Sequence, residues 1–299
     1  MDRFKQVAAG SYAISVATAL EDGTTPTVTA PSLAITDGAG VAVTTGTPTY
    51  SNGLLTFSVN ASLLTKLDVY QCAWTGTQSA ASASWSSSFE VQGGYICEIV
   101  DIRNSDRAFL DSAKYPLALL RAMRSSVQDM LHQQGRVSFI PRGRRVTIDG
   151  SAPDFFRGYT PLLYGQDTRK LLLPDVAVTQ LYSGNVNGVD LTVDDLSTIT
   201  VDDCLLYRSA MYPPWPFGRK NITLHYVHGL TTVPGPIARA AVILCREYLV
   251  GTDLPGRATA TSIGDQMFRL TVAGRDGATG LPEVDSAVDQ FGRHQYGVG

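Results

Sequence analysis

The stretch Asp68-Val-Tyr-Gln-Cys-Ala-Trp74 decides the fold that we predict for the first third of the chain. The spacing of Asp68, Tyr70 and Cys72 has the form of a tyrosine corner, in which a tyrosine hydroxyl of an immunoglobulin-like strand hydrogen-bonds to backbone a few residues upstream. Trp74 supplies a large aromatic side chain for the core. Because no cysteine precedes Cys72, the pattern predicts the sandwich architecture without the disulfide bond of antibody domains.

Residues 1–95 are rich in Ser, Thr, Ala and Gly, and their apolar residues follow the two-residue period of strands. Asn52-Gly53 indicates a hairpin, because both central residues of such a tight turn need a positive φ. The predicted strands include Tyr12–Thr18, Val28–Thr36, Val41–Thr45, Leu54–Val59, Asp68–Trp74 and Ser86–Val91. Many short strands within one hundred residues predict an immunoglobulin-like β-sandwich.

The pattern of apolar residues changes at Gln92-Gly-Gly94, where helical periodicity begins. Helices are predicted near 105–110, over 116–132, over 236–251 and from Pro282 onward. The run Ala240-Ala-Val-Ile-Leu-Cys245 is apolar on nearly all sides, so its helix is predicted to lie at the centre of a core. A short Gly hinge between two compositions predicts that the sandwich folds alone.

A β-meander is predicted between the first two long helices. Its strands are Val137–Ile140, Arg145–Ile148, Leu171–Val178, Val189–Val193, Leu205–Arg208 and Asn221–Val227. The predicted fold is therefore multidomain. Residues 1–93 form an all-β immunoglobulin-like sandwich, and residues 94–299 form an α+β domain of helices plus an inserted β-meander, ending in a flexible C-terminal arm.

The charge balance argues against a DNA-binding protein. The 299 residues carry a net charge of −3, and 17% of them are charged. DNA-binding domains usually show a basic excess. No apolar stretch approaches the roughly 18 residues of a membrane helix, so no membrane partner is expected.

No motif for catalysis or metal binding stands out, and we expect neither enzyme activity nor a cofactor. His225 and His228 form an H-x-x-H pattern, but residues three apart on a strand point to opposite faces and cannot share one ion. The acidic stretch around Asp194 lacks the spacing of a calcium loop. The four scattered cysteines are predicted to be reduced, mostly buried small hydrophobes, by the lack of metal-ligand spacing.

Two short segments are candidates for contact with a partner. Arg142-Gly-Arg-Arg145 is the densest basic patch, and as a turn it offers the guanidiniums of Arg142, Arg144 and Arg145 either to solvent or to DNA or an acidic partner, at an interface or a channel. The turn Tyr212-Pro-Pro-Trp-Pro-Phe217 presents Trp215, which suits protein recognition and local capping of a core equally.

Residues 91–291 resemble the head-to-tail adaptors, or connectors, of siphophages. The resembling phrases, in order, are Val91-Gln-Gly-Gly-Tyr95, the helix from Pro116, Phe139-Ile-Pro-Arg142, Leu171-Leu-Leu-Pro174, Trp215-Pro-Phe-Gly218, His225-Tyr-Val-His-Gly229, Val233-Pro234, Arg257-Ala-Thr, Leu270-Thr-Val-Ala-Gly-Arg275 and Leu281-Pro-Glu-Val-Asp285. An immunoglobulin-like module in front also resembles what some phage neck and tail proteins carry.

This resemblance implies a structural virion protein and not an enzyme. It implies a homo-oligomeric, dodecameric ring beneath the portal protein, assembled in the cytoplasm of the host bacterium and located in the virion neck. The ring extends the channel through which genomic DNA passes without sequence-specific binding. Stopper and tail proteins are connected to the capsid through it. The alternative is a virion surface or adhesion protein in which the immunoglobulin-like domain does the work.

The C-terminal segment has the features of a portal-binding arm. Val284, Ala287, Val288 and Phe291 form one apolar stripe, and the glycine-containing end after them has no further apolar run. Such a segment is costly to order alone. In related adaptors the C-terminal arm docks on the portal, and the resemblance carries that role to residues 281–299. The alternative is a helix packed on its own domain.

Overall fold

The computed structural model describes residues 1–18, 25, 27–150, 169–216, 218–250, 260–263, 266–269 and 279–292. The described part is rich in antiparallel sheet. The chain divides into two compact units. Unit 1 comprises Met1–Gly94 and Pro141–Gly229, and unit 2 comprises Tyr95–Ile140 and Leu230–Gly299.

The secondary structure has the following bounds. The strands are β1 (Asp2–Lys5), β2 (Ser11–Ala17), β3 (Val28–Thr36), β4 (Ala42–Gly46), β5 (Thr49–Ser51), β6 (Leu54–Asn60), β7 (Asp68–Gln78), β8 (Ala81–Gln92), β9 (Arg142–Gly150), β10 (Lys170–Leu172), β11 (Val178–Val186), β12 (Val189–Asp190), β13 (Ile199–Asp202), β14 (Leu205–Arg208), β15 (Gly218–His228), β16 (Ala260–Ile263) and β17 (Gln266–Arg269). The α-helices are α1 (Ile99–Ser105), α2 (Leu117–Gly135), α3 (Val193–Ser197), α4 (Gly235–Val250) and α5 (Pro282–Phe291), and 3₁₀ turns span Ala61–Leu63 and Arg107–Leu110.

The first eight strands form two sheets of a β-sandwich. One sheet has the order β2-β6-β5, and the other contains β4-β3-β7-β8 with β1 parallel to β8. The predicted hairpin joins β5 to β6, where Asn52 and Gly53 both have positive φ, 48° and 77°. The hairpin prediction is therefore confirmed at the level of backbone angles.

Aromatic side chains fill the sandwich core. Trp74 is fully buried, and its indole nitrogen donates a hydrogen bond to the Ser87 hydroxyl at 2.9 Å. The Tyr70 hydroxyl donates to the backbone oxygen of Lys66 at 3.0 Å, which is the hydrogen bond predicted for a tyrosine corner. The Tyr70 ring also stacks on Phe89. The stretch that decided the predicted fold therefore lies in the core of the sandwich.

The sandwich continues into the inserted strands without a break in the sheet. The main sheet has the order β12-β11-β15-β9-β8-β7-β3-β4. Gln92 at the end of β8 pairs with Arg142 at the start of β9, and the Gly93 amide donates to the Pro141 oxygen at 2.8 Å. Unit 1 therefore groups residues 141–229 with the sandwich, whereas the predicted second domain kept them with the helices. The predicted hinge at Gln92 is part of a sheet, because its backbone is paired.

Side-chain packing also joins the inserted strands to the sandwich. Val227 of β15 and Tyr182 of β11 belong to the sandwich core, whereas Leu224 and Tyr226 belong to a smaller core of the inserted strands. The backbone of Leu67 lies so close to β9 that a Cβ atom at Gly143 would come within 1.7 Å of the Leu67 oxygen. A glycine is required at position 143 for this contact.

Unit 2 is a helical core built from distant segments. Helix α4 packs against α1, α2 and α5, in agreement with its predicted central place. The core contains buried side chains from all four helices and from the segment before β9, among them Ile102, Leu120, Leu131, Phe139, Ile237, Leu244 and Val284. The two short strands β16 and β17 pair with each other as a hairpin.

Four predicted local structures are wrong. The predicted strand Leu171–Val178 is not continuous, because β10 ends at Leu172 and β11 begins at Val178. Residues 137–140 are not a strand, because Phe139 and Ile140 turn into the helical core of unit 2. The basic segment Arg142–Arg145 is not a turn but the beginning of β9. The predicted strand Val189–Val193 ends at Asp190 as β12, and Val193 begins the short helix α3, whose first turn is closed by a capping box between Thr192 and Asp195.

Candidate functional site: arginine and carboxylate pairs on the inserted strands

The three arginines of the basic segment point to two faces of the sheet. Alternation along β9 places Arg142 and Arg144 on one face and Arg145 on the other. On the neighbouring strand β15, His228 lies opposite Arg142, and His225 lies opposite Arg145. The two histidines therefore lie on opposite faces, each beside a different carboxylate, as strand alternation predicts.

Arg142 forms a two-bond ion pair with Glu90 of the sandwich. Its Nε lies 2.5 Å from Glu90 Oε1, and its Nη2 lies 2.8 Å from Oε2. The Nε of Arg3 in β1 donates to the same Oε2 at 3.2 Å. Glu90 is almost completely buried, so the two guanidiniums compensate the cost of removing its charge from water. This pair links the last sandwich strand to the first inserted strand.

Arg145 forms a second pair on the opposite face. Its Nη2 lies 2.8 Å from Asp68 Oδ2 and 3.1 Å from Asp37 Oδ2. Asp68 also accepts hydrogen bonds from the amides of Gly38 and Val69. Asp68, the aspartate of the D-x-Y-x-C stretch, is therefore buried and binds its ion-pair and hydrogen-bond partners inside unit 1.

His225 is buried next to this second pair. Its Nε2 donates to the Leu67 oxygen at 3.2 Å and lies 3.8 Å from Asp68 Oδ2. Burial lowers the pKa of His225, although Asp68 opposes this effect; the positive charges of Arg145 and Lys66 add to it. Among the described residues, no hydrogen-bond partner faces the buried Nδ1. The neutral imidazole is therefore the form that the site favours.

A third cluster surrounds Asp175, between β10 and β11. The Nη1 of Arg144 lies 2.5 Å from Asp175 Oδ1, and the Tyr226 hydroxyl donates to Oδ2 at 2.5 Å. Burial and then Asp175 raise the pKa of Tyr226. His228 lies 3.9 Å from the same aspartate, and its pKa is lowered by burial and by the nearby Arg142 and Arg144.

These ion pairs limit which of the three predicted contact arginines can bind a partner. The side chains of Arg142 and Arg145 are about four-fifths buried and are bound to internal carboxylates, while the side chain of Arg144 remains 46% exposed. Of the three, Arg144 is the one whose guanidinium is well placed for a partner. The sequence did not reveal the pairs, because the carboxylates of Glu90, Asp68 and Asp175 come from distant strands and loops.

Trp215 caps a core and is not an exposed anchor. Its side chain is only 1% exposed, and its indole nitrogen donates to the Arg169 oxygen at 3.0 Å. The guanidinium of Arg208 lies 4.5 Å from the centre of the ring. Of the two alternatives predicted equally for Trp215, protein recognition and capping of a core, its burial agrees with capping. Phe217 lies outside the described residues.

The apolar stripe of α5 packs on its own unit. Val284 is fully buried, Ala287 and Val288 are nearly so, and Phe291 contacts the same core. The helix ends at Gly292, whose amide donates to the Val288 oxygen. In this state the stripe is not available to the portal, as the alternative of a packed helix predicts. The rest of the predicted arm, residues 293–299, lies outside the described residues.

In the described ranges, no cluster of three or more His, Cys, Asp or Glu side chains could hold a metal ion. No helix in the described part of the chain is both long and apolar enough to cross a membrane. Comparison with protein-family models and with curated proteins finds no match for this chain.

Proposed function

We propose that this chain is a structural protein of the neck of a tailed bacteriophage, a head-to-tail adaptor with an N-terminal immunoglobulin-like sandwich. The observation that carries this proposal concerns segments that resemble the adaptors. The helix from Pro116, Phe139-Ile140, Val233 and Leu281–Asp285 lie far apart in sequence, yet they contribute to one core in unit 2. Other resembling segments, such as Leu171–Pro174 and His225–Gly229, lie in unit 1, so the resemblance spans both units.

The ion pairs of unit 1 support a structural role. Arg142, Arg144 and Arg145 each face a carboxylate, so β9 does not offer a continuous basic surface to DNA phosphates. This suits a protein that surrounds passing DNA without binding it sequence-specifically. The pairs also hold the sandwich and the inserted strands together, which suits a subunit that has to keep its shape inside an assembly.

The resemblance supplies the assembly that we propose. Twelve copies form a ring beneath the portal protein and extend the DNA exit channel in the virion neck. The ring passes the connection to stopper and tail proteins, and it is assembled in the host cytoplasm. Because the stripe of α5 is buried, we place the first portal contact on other surfaces of unit 2 and on residues after Gly292.

Assembly without this protein tests the proposal. Phage that lack the chain are expected to fill their heads with DNA and to accumulate them without tails, and supply of the intact chain in trans restores tailed particles. Tailed particles assembled in its absence would contradict the adaptor role. The alternative, a virion surface or adhesion protein, has no comparable observation in its favour among the described residues.

A further inference from the structure

Strand β8 leaves most of one edge of the main sheet open. It pairs with β7 along its whole length, whereas β1 and β9 pair only with residues 89–92 of β8. In the part of the chain that the structure describes, residues 81–88 therefore have a strand partner on one side only. Such an edge presents unpaired backbone N–H and C=O groups, and another strand can bind to them.

The open backbone groups of β8 belong to its serines. A two-residue turn at 79–80 joins β7 to β8, so Gln78 and Ala81 form a hydrogen-bonded pair. Because such pairs alternate with non-hydrogen-bonded pairs in an antiparallel ladder, the even-numbered residues of β8 point their N–H and C=O groups to the open edge. The Gln6 amide donates to the Gln92 oxygen on this same edge at 2.8 Å, in agreement with the alternation. The even-numbered residues of the open stretch are Ser82, Ser84, Ser86 and Ser88.

This edge lacks the features that keep the edge strands of natural proteins from pairing. Residues 81–88 contain no charged residue and no proline, and their register with β7 continues without a bulge. The outer strands of the main sheet differ from it. Strand β12 has only two residues, and the pairing of β4 with β3 is interrupted by a register shift. A regular, uncharged edge of this length suits the addition of an uncharged strand.

We propose that the added strand is β8 of a second copy of this chain, paired antiparallel about a two-fold axis at Ser84. Strand β1 limits the register, because Asp2 already lies opposite Phe89. An axis at Trp85 would bring Ala81 of the second copy opposite Phe89 as well, where it would meet Asp2. An axis at Ser84 shifts the second strand away from this position and leaves β1 in place.

The two copies complement each other in this register. Ser84 forms a hydrogen-bonded pair with Ser84 of the second copy, and Ser82 forms such a pair with Ser86 of the second copy. Between these pairs, Trp85 of each copy lies opposite Ala83 of the other. A large, half-buried ring then covers a small side chain at a non-hydrogen-bonded position, where side chains are closest. Because neither strand is charged, no like-charge repulsion opposes the pairing.

The pair belongs to the free chain and does not depend on the proposed neck function. A two-fold contact uses the same surface on both copies and is complete with two, so it cannot be the repeating contact of a closed ring. The contact surface is small, and we expect the pair to dissociate on dilution. Failure of the pair and failure of ring assembly are therefore separate results.

Sedimentation velocity of the full chain tests the pair. From about 5 µM to about 500 µM, the mass is expected to rise from that of one 32.1-kDa chain towards that of two. Ser84→Cys is expected to form a disulfide-linked dimer under mild oxidation, because the Cα atoms of a hydrogen-bonded pair lie about 5.5 Å apart, within the range of disulfide bonds. Ser58→Cys, exposed on the central strand β6, is the control and is expected to form none. A chain that stays monomeric over the whole range would overturn the proposal.

Charged variants test the register. Ser84→Lys places two like charges directly opposite each other and is expected to weaken the pair at least about tenfold, with the circular dichroism of the monomer unchanged. A mixture of Ser84→Lys with Ser84→Glu is expected to restore pairing. Ser15→Lys, on the outer strand β2 of the other sheet, is the matched control and is expected to leave the pair intact. A dimer that Ser15→Lys disrupts and Ser84→Lys spares would show that a different edge pairs, and the proposal would be wrong.

Discussion

Glu90 and Arg142 lie side by side with two parallel hydrogen bonds, 2.5 Å and 2.8 Å long, between the last strand of the sandwich and the first inserted strand. The pair marks the place where two predicted domains become one sheet. Because Glu90 is buried and also binds Arg3, its one negative charge compensates two guanidiniums at once.

Glu90→Gln is expected to destabilise unit 1 by about 3–5 kcal/mol, because a buried ion pair loses its anion while its cations stay in place. The measurement is urea unfolding followed by the fluorescence of Trp74 and its neighbours. Glu283→Gln is the matched control. Glu283 pairs with Arg239 on the surface, so its loss is expected to cost less than about 1 kcal/mol. Equal effects of the two substitutions would show that the Glu90 pair is not energetically important.

Deletion of residues 1–92 is expected to give an aggregated or partly unfolded protein. The deletion removes Glu90 and Asp68 and uncovers Val227, so Arg142 and Arg145 would remain without their anions. Size-exclusion chromatography and limited proteolysis of the truncated chain, compared with the full chain, measure the result. A monodisperse truncated protein whose residues 141–229 resist proteolysis would mean that the sandwich is dispensable for the inserted strands.

Stability is expected to fall as the pH drops below about 6.5, the ordinary pKa of histidine. The pKa values of His225 and His228 are lowered in the folded protein, so between that lowered range and 6.5 the unfolded chain binds more protons than the folded chain. The stabilisation is present above pH 6.5 and is lost below it. Urea unfolding at pH 7 and pH 5.5 measures the loss.

The double variant His225→Gln, His228→Gln is the control for this effect, because glutamine does not titrate. The difference in stability between pH 7 and pH 5.5 is expected to shrink in the variant. Nuclear magnetic resonance of the wild-type imidazoles gives an independent reading. A His225 ring that titrates at or above pH 6.5 in the folded protein would contradict the argument from burial.

Helix α5 is expected to be protected from hydrogen exchange in the free protein. Val284 is fully buried, so Val284→Ala is expected to lower stability by about 1–3 kcal/mol through the loss of buried methyl groups. Gln290→Ala, on the exposed face of the same helix, is the control and is expected to have little effect. Rapid exchange over residues 284–291 in the absence of portal would restore the interpretation of this segment as an arm that orders on its partner.

Local signals predicted much of the secondary structure. The turn at Asn52-Gly53 and the Tyr70 corner depend on backbone angles and spacings that a short stretch determines. Helices α2, α4 and α5 lie close to their predicted ranges, because their apolar periodicity and the prolines near their starts are local features. These elements could therefore be predicted one at a time.

Long-range pairing could not be predicted in the same way. The apolar run Val137–Ile140 looks like a strand, but the core of unit 2 takes its side chains without a strand partner. Arg142–Arg145 looks like a basic turn, because its carboxylate partners are as far as 108 residues away in sequence. Trp215 looks exposed for the same reason, since its neighbours come from other strands of the inserted core.

Electron cryomicroscopy of whole virions tests the central claim most directly, because it shows where the protein lies. The account predicts a ring of density on the portal axis, between capsid and tail, into which unit 1 and the helices of unit 2 fit as repeated copies of a 32.1-kDa chain. Antibody labelling of the same particles is expected to mark the neck. Density or label at the periphery of the particle, away from the portal axis, would contradict the account.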